Sequence, residues 1–304
     1  MSATAYAARP MPITARRAAL TGLAMGTADL VPGVSGGTIA LVAGVYDELI
    51  ESIAAVDREA VGMLTSGRFR DLADHINLRF LAPLFAGIAT AVLLLAGVLH
   101  DWLEQPASRA MLFSFFMGLV LASVVAVGSH VEWGASRWAA ALGGAAVGLV
   151  VAFSAPARTP ETALWAILGG ALAISAMILP GISGSFILLL VGQYDRAIEA
   201  VAELDFATIA LFGLGAVIGL LVMVRVLRWA LRQHRNVTLA SLVGLMAGTL
   251  PRLWPWIECP DCADPGWYLP ELGVLAIGVG LAIAGGTVVS ALEWLGRSAT
   301  ESAE

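Results

Sequence analysis

The sequence predicts an all-α polytopic membrane protein built from two copies of one unit in inverted topology. Three observations predict it: a composition too apolar for water, a series of uncharged stretches of membrane length, and a motif that occurs twice. Hydrophobic residues fill 59% of the 304 positions and charged residues only 13%. A soluble domain carries charge on roughly a quarter of its residues. A surface that faces lipid accounts for the missing charge. Uncharged stretches cover 80–100, 110–129, 138–157, 162–194, 206–224, 236–251 and 272–292. A helix that crosses the hydrocarbon core needs about 20 apolar residues, and most of these stretches supply them.

The third observation organises the chain. Residues 30–53 read LVPGVSGGTIALVAGVYDELIESI, and residues 178–201 read ILPGISGSFILLLVGQYDRAIEAV. At an offset of 148, Pro32, Gly33, Ser35 and Gly36 fall on Pro180, Gly181, Ser183 and Gly184. Gly44, Tyr46, Asp47 and Glu51 fall on Gly192, Tyr194, Asp195 and Glu199 in the same way. Fainter echoes follow: 84–88 matches 211–215, and 118–123 matches 244–249.

Taken in order, the first half covers 1–156. It opens with an interrupted hairpin over about 16–54, continues through a polar loop over 57–79, and ends with three spans. Arg16-Arg17 ahead of an apolar run resembles a signal peptide, but that run leads straight into the repeated motif, so it belongs to the mature fold. The second half, 157–304, repeats the plan with a hairpin over about 162–201 and three more spans.

Arginine placement decides how the halves face. If each motif segment enters and leaves on one face, each half crosses an odd number of times and the halves are inverted. If it spans the membrane as one broken helix, the halves are parallel. All 17 basic residues are arginine. The inverted arrangement places only Arg109, Arg158, Arg196 and Arg252 outside and 13 inside, whereas the parallel one splits them 10 to 7. The positive-inside rule favours inversion and predicts cytoplasmic termini on a multi-pass protein of the cytoplasmic membrane. It also puts Cys259 and Cys262 outside, where a local disulfide can persist, although an incidental pair fits the spacing as well.

The breaks carry the chemistry. Pro32 and Pro180 stop a helix by removing a donor and clashing with the turn before. Gly33, Gly36, Gly37, Gly181 and Gly184 allow a tight turn and close approach to a ligand. Ser35 and Ser183, with Thr38 and Ser185 behind them, are placed to cap the helix that follows. Free N–H groups and hydroxyls at a helix start suit an anion. Irregular backbone at membrane depth must line protein or a cavity, so two breaks entering from opposite faces are expected to share one site. The candidate anion-binding residues are therefore Ser35, Gly36, Gly37, Thr38, Ser183, Gly184 and Ser185. Plain helix packing by small residues is the competing reading.

Four charged residues stand out as coupling or charge-partner candidates. Asp29 lies inside the otherwise uncharged run 18–46, and its counterpart at the 148 offset is Met177. An ionisable group at that depth is functional by default; proton coupling and capping of the break are both open. Glu51 and Glu199, with Tyr46, Tyr194, Asp47 and Asp195, are expected to end the second helix of each hairpin. Arg252 follows the segment 244–251 and is placed either to meet a phosphate at the outer face or to snorkel. No cofactor, metal or nucleic-acid partner is expected.

The two break motifs, with Gly44-x-Tyr46, Gly192-Gln-Tyr194 and the Gly-Leu-x-x-Gly-Thr-Leu-Pro run at 244–251, resemble the polyprenyl-phosphate transporter family over nearly the whole chain. The resemblance implies translocation of a lipid carrier such as undecaprenyl phosphate across the cytoplasmic membrane, for reuse in envelope glycan synthesis. It also implies a membrane-lipid partner and leaves proton or ion coupling open. The first-half counterpart of 244–251 lacks the proline, a departure from the repeat. Two other classes compete. A small-anion channel or exchanger would use the same helix ends. A membrane lipid pyrophosphate phosphatase uses a similar motif that carries an arginine where Gly36 and Gly184 stand here, and no histidine lies near either break. Hydrolysis would lack its phosphate clamp and its acid–base group.

Overall fold

The computed structural model describes residues 13–257 and 266–301. Cys259 and Cys262 lie outside the described residues. Within them the regular secondary structure is helical apart from one isolated antiparallel bridge, Ile257 to Trp267. The first helices are α1 (Ala15–Asp29), α2 (Gly36–Val42), α3 (Tyr46–Ala54), α4 (Arg58–Thr65), α5 (Phe69–His75), α6 (Leu78–Glu104), α7 (Pro106–Ser129) and α8 (Ala135–Phe153). Then come α9 (Ala163–Ile178), α10 (Gly184–Leu190), α11 (Tyr194–Ala202), α12 (Phe206–Gln233), α13 (Arg235–Thr249), a 3-10 turn (Leu250–Leu253) and α14 (Leu272–Glu301). Helices α6, α7, α8, α12 and most of α14 are long and apolar enough to cross a bilayer. The chain is a multi-pass membrane protein.

Three sequence expectations need correction. The loop 57–79 is not irregular, because it folds into α4 and α5. The stretch 236–251 gives a helix of only 15 residues, about 22 Å long, against a hydrocarbon core of about 30 Å. Pro251 cannot donate into an α-helical ladder, and the chain tightens into the 3-10 turn there. Tyr46 and Tyr194 do not end the second helix of each hairpin; they start a third. Gly44 and Gly192, at φ +68° and +65°, take the left-handed conformation that closes a helix. The Val45 N–H then donates to Ala40 O at 3.0 Å, and the Gln193 N–H to Leu188 O at 2.9 Å.

The breaks have a local cause. Val31-Pro-Gly-Val34 and Leu179-Pro-Gly-Ile182 are type II turns, with proline at the second position and glycine at φ +86° or +89° at the third. The Val34 N–H donates to Val31 O at 3.1 Å, and the Ile182 N–H to Leu179 O at 3.4 Å. Outside the membrane, Asp57 caps α4 and Asp205 caps α12. Both carboxyls are held below the usual range, Asp57 chiefly by the Ala60 N–H and Asp205 chiefly by Thr208.

After each turn the chain folds back. A Cβ on Gly36 would touch the Asp29 carboxylate, and the Arg17 guanidinium donates to Ala43 O at 2.7 Å, so α2 returns toward the start of α1. In the second hairpin a Cβ on Gly184 would lie 2.8 Å from Ala173 O, and the Ala157 N–H donates to Leu190 O at 2.8 Å. Both hairpins close on their own starting ends.

Glycines set the helix pairing. An added Cβ would lie 2.0 Å from Leu84 O at Gly22 (α1 on α6) and 1.9 Å from Ile167 O at Gly215 (α12 on α9). It would lie 2.0 Å from Ala282 O at Gly118 (α7 on α14) and 1.9 Å from Ala141 O at Gly244 (α13 on α8). With apolar lipid all round, such close backbone approach replaces the hydrophobic effect as the driving force. The contacts advance together along both partners, Gly22 to Leu84 then Gly26 to Ile88, and Gly278 to Ser114 then Gly286 to Ala122, so these pairs run parallel.

Helix α12 relates the hairpins. Its 28 residues span about 42 Å. Near its C-terminal end Arg228 and Arg232 pair with Glu51 at 2.8 and 2.7 Å, and Arg225 donates to Val56 O at 3.0 Å. Just beyond, Arg235 pairs with Asp47 at 2.8 Å. Its N-terminal half packs on α9, at the mouth of the second hairpin. The two hairpins thus open toward opposite ends of α12. The Glu51 pairs are partly solvated, so Glu51→Gln is expected to cost only about 1 kcal/mol or less. Thermal unfolding in detergent should show a Tm lowered by a few degrees, not loss of folding.

Candidate functional site at the paired breaks

A proline stop leaves the last turn of a helix with unsatisfied carbonyls. In α9 these carbonyls are bonded by hydroxyls from the first hairpin. Ser35 Oγ lies 2.9 Å from Met177 O and 3.2 Å from Leu179 O, and Tyr46 donates its phenol proton to Ile178 O at 3.2 Å. In return the Gly181 N–H donates to Thr38 Oγ1 at 3.0 Å. Ser35, Thr38 and Tyr46 are buried, so these bonds form away from water, where an unmade one is costly. The two breaks are in direct contact.

The start of α2 is also occupied from within the chain. The Gly36 N–H donates to Asp29 Oδ1 at 2.7 Å, and the Gly37 N–H to Ser35 Oγ at 3.1 Å. Asp29 caps the first break, one of the two roles open from sequence, and has no ion-pair partner among the described residues. Its site is built from the turn upward, because the fold-back of α2 places the Gly36 amide against the end of α1.

The second break differs. Ser183 does not cap α10 as expected; its hydroxyl pairs with that of Ser185 at 2.8 Å. Met177 stands where the first half has Asp29, and among the described residues no carboxylate bonds to the Gly184 amide. Ser183 and Gly184 are buried while Ser185 is exposed. Arg252, carried by the 3-10 turn, lies with its guanidinium carbon 4.7 Å from the centre of the Phe186 ring, on the first turn of α10. Its stem is beside the first break too, with Cγ 3.9 Å from the Cβ position of Gly33. Thr249 and Met246 press on Gly181, at 3.1 and 2.9 Å from its Cβ position. The segment 246–253 therefore closes over both turns and brings Arg252 to them.

Of the other candidates, Pro180 is buried and Pro32 exposed. Glu51 is not at the breaks, being held at the hairpin mouth by Arg228 and Arg232. Glu199 is exposed on α11. Tyr46, which sequence treated as a boundary residue, is a bonding partner of the second break; a polar tip on a helix that is otherwise apolar on that side was the signal available. Beside this centre an apolar cavity of about 700 Å³ runs between α7 and α14, with Ser114, Met117, Leu121, Trp254 and Trp256 among its lining residues.

Residues 25–264 match the family model described as VCA0040-like, undecaprenyl phosphate translocase-like. The chain is similar to a polyprenyl-phosphate transporter of Vibrio cholerae serotype O1, 43% identical over 242 residues, 79% of this chain and 77% of the relative. It is also similar to a polyprenyl-phosphate transporter of Staphylococcus aureus, 32% identical over 255 residues, 78% of this chain and 85% of the relative. No solved structure matches. The matched region contains both breaks and Arg252, and by it the chain belongs to the VCA0040-like family of undecaprenyl phosphate translocase-like proteins.

Proposed function

We propose that this protein flips a polyprenyl phosphate, such as undecaprenyl phosphate, across the cytoplasmic membrane, returning the carrier for envelope glycan synthesis. The observation that carries the reading is the contact between the two breaks with Arg252 against both. A phosphate monoester needs a cation and several donors in a place otherwise closed to charge. Ser183, Gly184, Ser185 and Arg252 hold it in this state, and Ser35, Gly36, Gly37 and Thr38 take part when the first break opens. The isoprenoid tail stays in lipid, with the cavity between α7 and α14 open to its first units. The two relatives, both polyprenyl-phosphate transporters, support the substrate.

The halves, 1–156 and 157–304, are inverted repeats with cytoplasmic termini. Support comes from the opposed hairpin mouths on α12 and from the parallel pairs. Each hairpin's first helix runs with the first long helix of its own half, α1 with α6 and α9 with α12. The second and third long helices pair across the halves, α7 with α14 and α8 with α13. Inverted repeats meeting at broken helices place a site near the midplane.

Purified protein in liposomes holding labelled undecaprenyl phosphate in one leaflet should speed its appearance in the other. Chloride or inorganic phosphate flux without lipid movement would replace this reading with a channel, and phosphate release from polyprenyl pyrophosphate would replace it with a phosphatase. Asp29 acts as the cap of the first break. Asp29→Asn keeps an acceptor for the Gly36 amide and should retain flipping within about threefold, whereas Asp29→Ala strands that donor, worth about 1–3 kcal/mol, and should lose about tenfold or more. Loss of flipping in Asp29→Asn with the fold intact would instead make Asp29 a proton carrier.

A further inference from the structure

The two hairpins have one sequence pattern but are packed differently. Tyr46, Ile50 and Ile53 on α3 are 2%, 1% and 7% exposed, whereas their counterparts Tyr194, Ile198 and Val201 on α11 are 37%, 53% and 62% exposed. Helix α3 lies against α12, held by Glu51 to Arg228 and Arg232 and by Asp47 to Arg235. Helix α11 is not laid along α6, the counterpart of α12, in the same way. The bonds across the breaks are equally one-sided. Ser35 and Tyr46 reach the α9 carbonyls, while Ser183 bonds to Ser185 and Tyr194 makes no side-chain bond to the residues ending α1. Helix α3 is docked across the halves, whereas α11 packs on α12 of its own half.

The repeat names the partners that shut the second mouth. Gly118–Ser123 matches Gly244–Thr249 at an offset of 126, and the same offset places Arg109, near the start of α7, on Arg235, at the start of α13. Asp195 falls on Asp47 at the offset of 148. Neither Arg109 nor Asp195 has an ion pair among the described residues, and Arg109 is half-buried at the end of the bundle opposite to Arg235. We infer that Asp195 and Arg109 are the gate pair of the second mouth, joined when α11 docks on α6 and parted in the present arrangement. The pair positions the hairpin and does not touch the substrate.

The two latches are unequal. Glu199 matches Glu51, yet the positions matching Arg228 and Arg232 are Asp101 and Gln105 at an offset of 127, or Trp102 and Pro106 at 126. None is basic. The first mouth has three carboxylate–arginine contacts and the second would have one, which accounts for a structure in which α3 is the docked helix. The inference rests on the inverted-repeat reading of a transporter that alternates between two mouths, and its test does not need the lipid.

In a Cys259→Ser/Cys262→Ser background, Asp47→Cys with Arg235→Cys and Asp195→Cys with Arg109→Cys form two candidate crosslinks for a short bis-thiol reagent. The expected result is that each pair crosslinks, and that in the four-cysteine protein closing one prevents the other. Failure of the Asp195/Arg109 pair to crosslink, or closure of both in one molecule, overturns the inference. Charge reversal guards against a local thiol artefact: Asp195→Arg and Arg109→Asp should each reduce lipid flipping about tenfold, and the double reversal should recover most of it. No recovery counts against the pair. Exclusive crosslinks in a protein that moves no polyprenyl phosphate would leave the gate standing and sink the substrate assignment alone.

Discussion

Arg252→Ala is expected to lower polyprenyl phosphate flipping by about 10- to 100-fold while leaving the fold in place. Charge-assisted hydrogen bonds are worth about 1.5–3 kcal/mol each, and every 1.4 kcal/mol is a factor of ten. The loss falls on the step in which a phosphate leaves the headgroup region for the breaks, where water is scarce and the effective dielectric low. Packing gives a smaller, separable effect, because the guanidinium also covers the Phe186 ring, a cation–π contact worth about 0.5–2 kcal/mol. Arg252→Lys separates the two. It restores the charge but not the planar fork that fits a phosphate, so it should recover part of the rate and little of the affinity. Initial flipping rates across a series of lipid concentrations, beside Tm for each variant, make the comparison. Wild-type flipping in Arg252→Ala would remove the arginine from the site.

How much of this was written in the chain depends on sequence distance. The Pro-Gly turns were legible because each is decided within four residues: proline sets φ, glycine accepts the left-handed position, and the helix must stop. Their contact in space was an expectation of the inverted arrangement, in which two halves crossing oppositely would bring like segments to one depth. The third helix of each hairpin was not anticipated, because Gly44 and Gly192 entered only as matched positions of the repeat and not as stops. Arg252 could be singled out as a candidate but not placed. It reaches the breaks only because α13 packs along α8 through Gly244 and Gly248, which fixes where the 3-10 turn lands. A difference between the two breaks was visible in the chain at Asp29 against Met177. The unequal docking of α3 and α11 was not, because the arginines that hold α3 lie on α12 and α13, far from the motif in sequence, and only the fold brings them to Glu51 and Asp47.

Gly37→Ala tests the contact between the breaks, and local and tertiary effects predict opposite signs for it. Gly37 is helical, where alanine is normally favoured by about 1 kcal/mol. Yet the new Cβ would lie 2.5 Å from Ile178 O, a backbone atom at the end of α9. Relief requires the two breaks to part, because neither the short α2 nor the turn behind it has a flexible side chain to move aside. Overpacking of this kind costs about 1–3 kcal/mol. Parting also weakens the bonds of Ser35 to Met177 O, Tyr46 to Ile178 O and Thr38 to the Gly181 N–H, each worth about 0.5–1.5 kcal/mol. The tertiary terms exceed the helical gain, so Gly37→Ala should lower Tm by several degrees and reduce flipping about tenfold or more. Gly213→Ala is the matched control. It too is a helical glycine, but its Cβ would meet nothing within 4 Å, so it should be neutral or slightly stabilising and flip lipid normally. Equal Tm and equal flipping in the two variants would mean that the breaks do not need to touch. The phosphate would then have to be held by one hairpin alone, with Arg252 its partner from outside that hairpin.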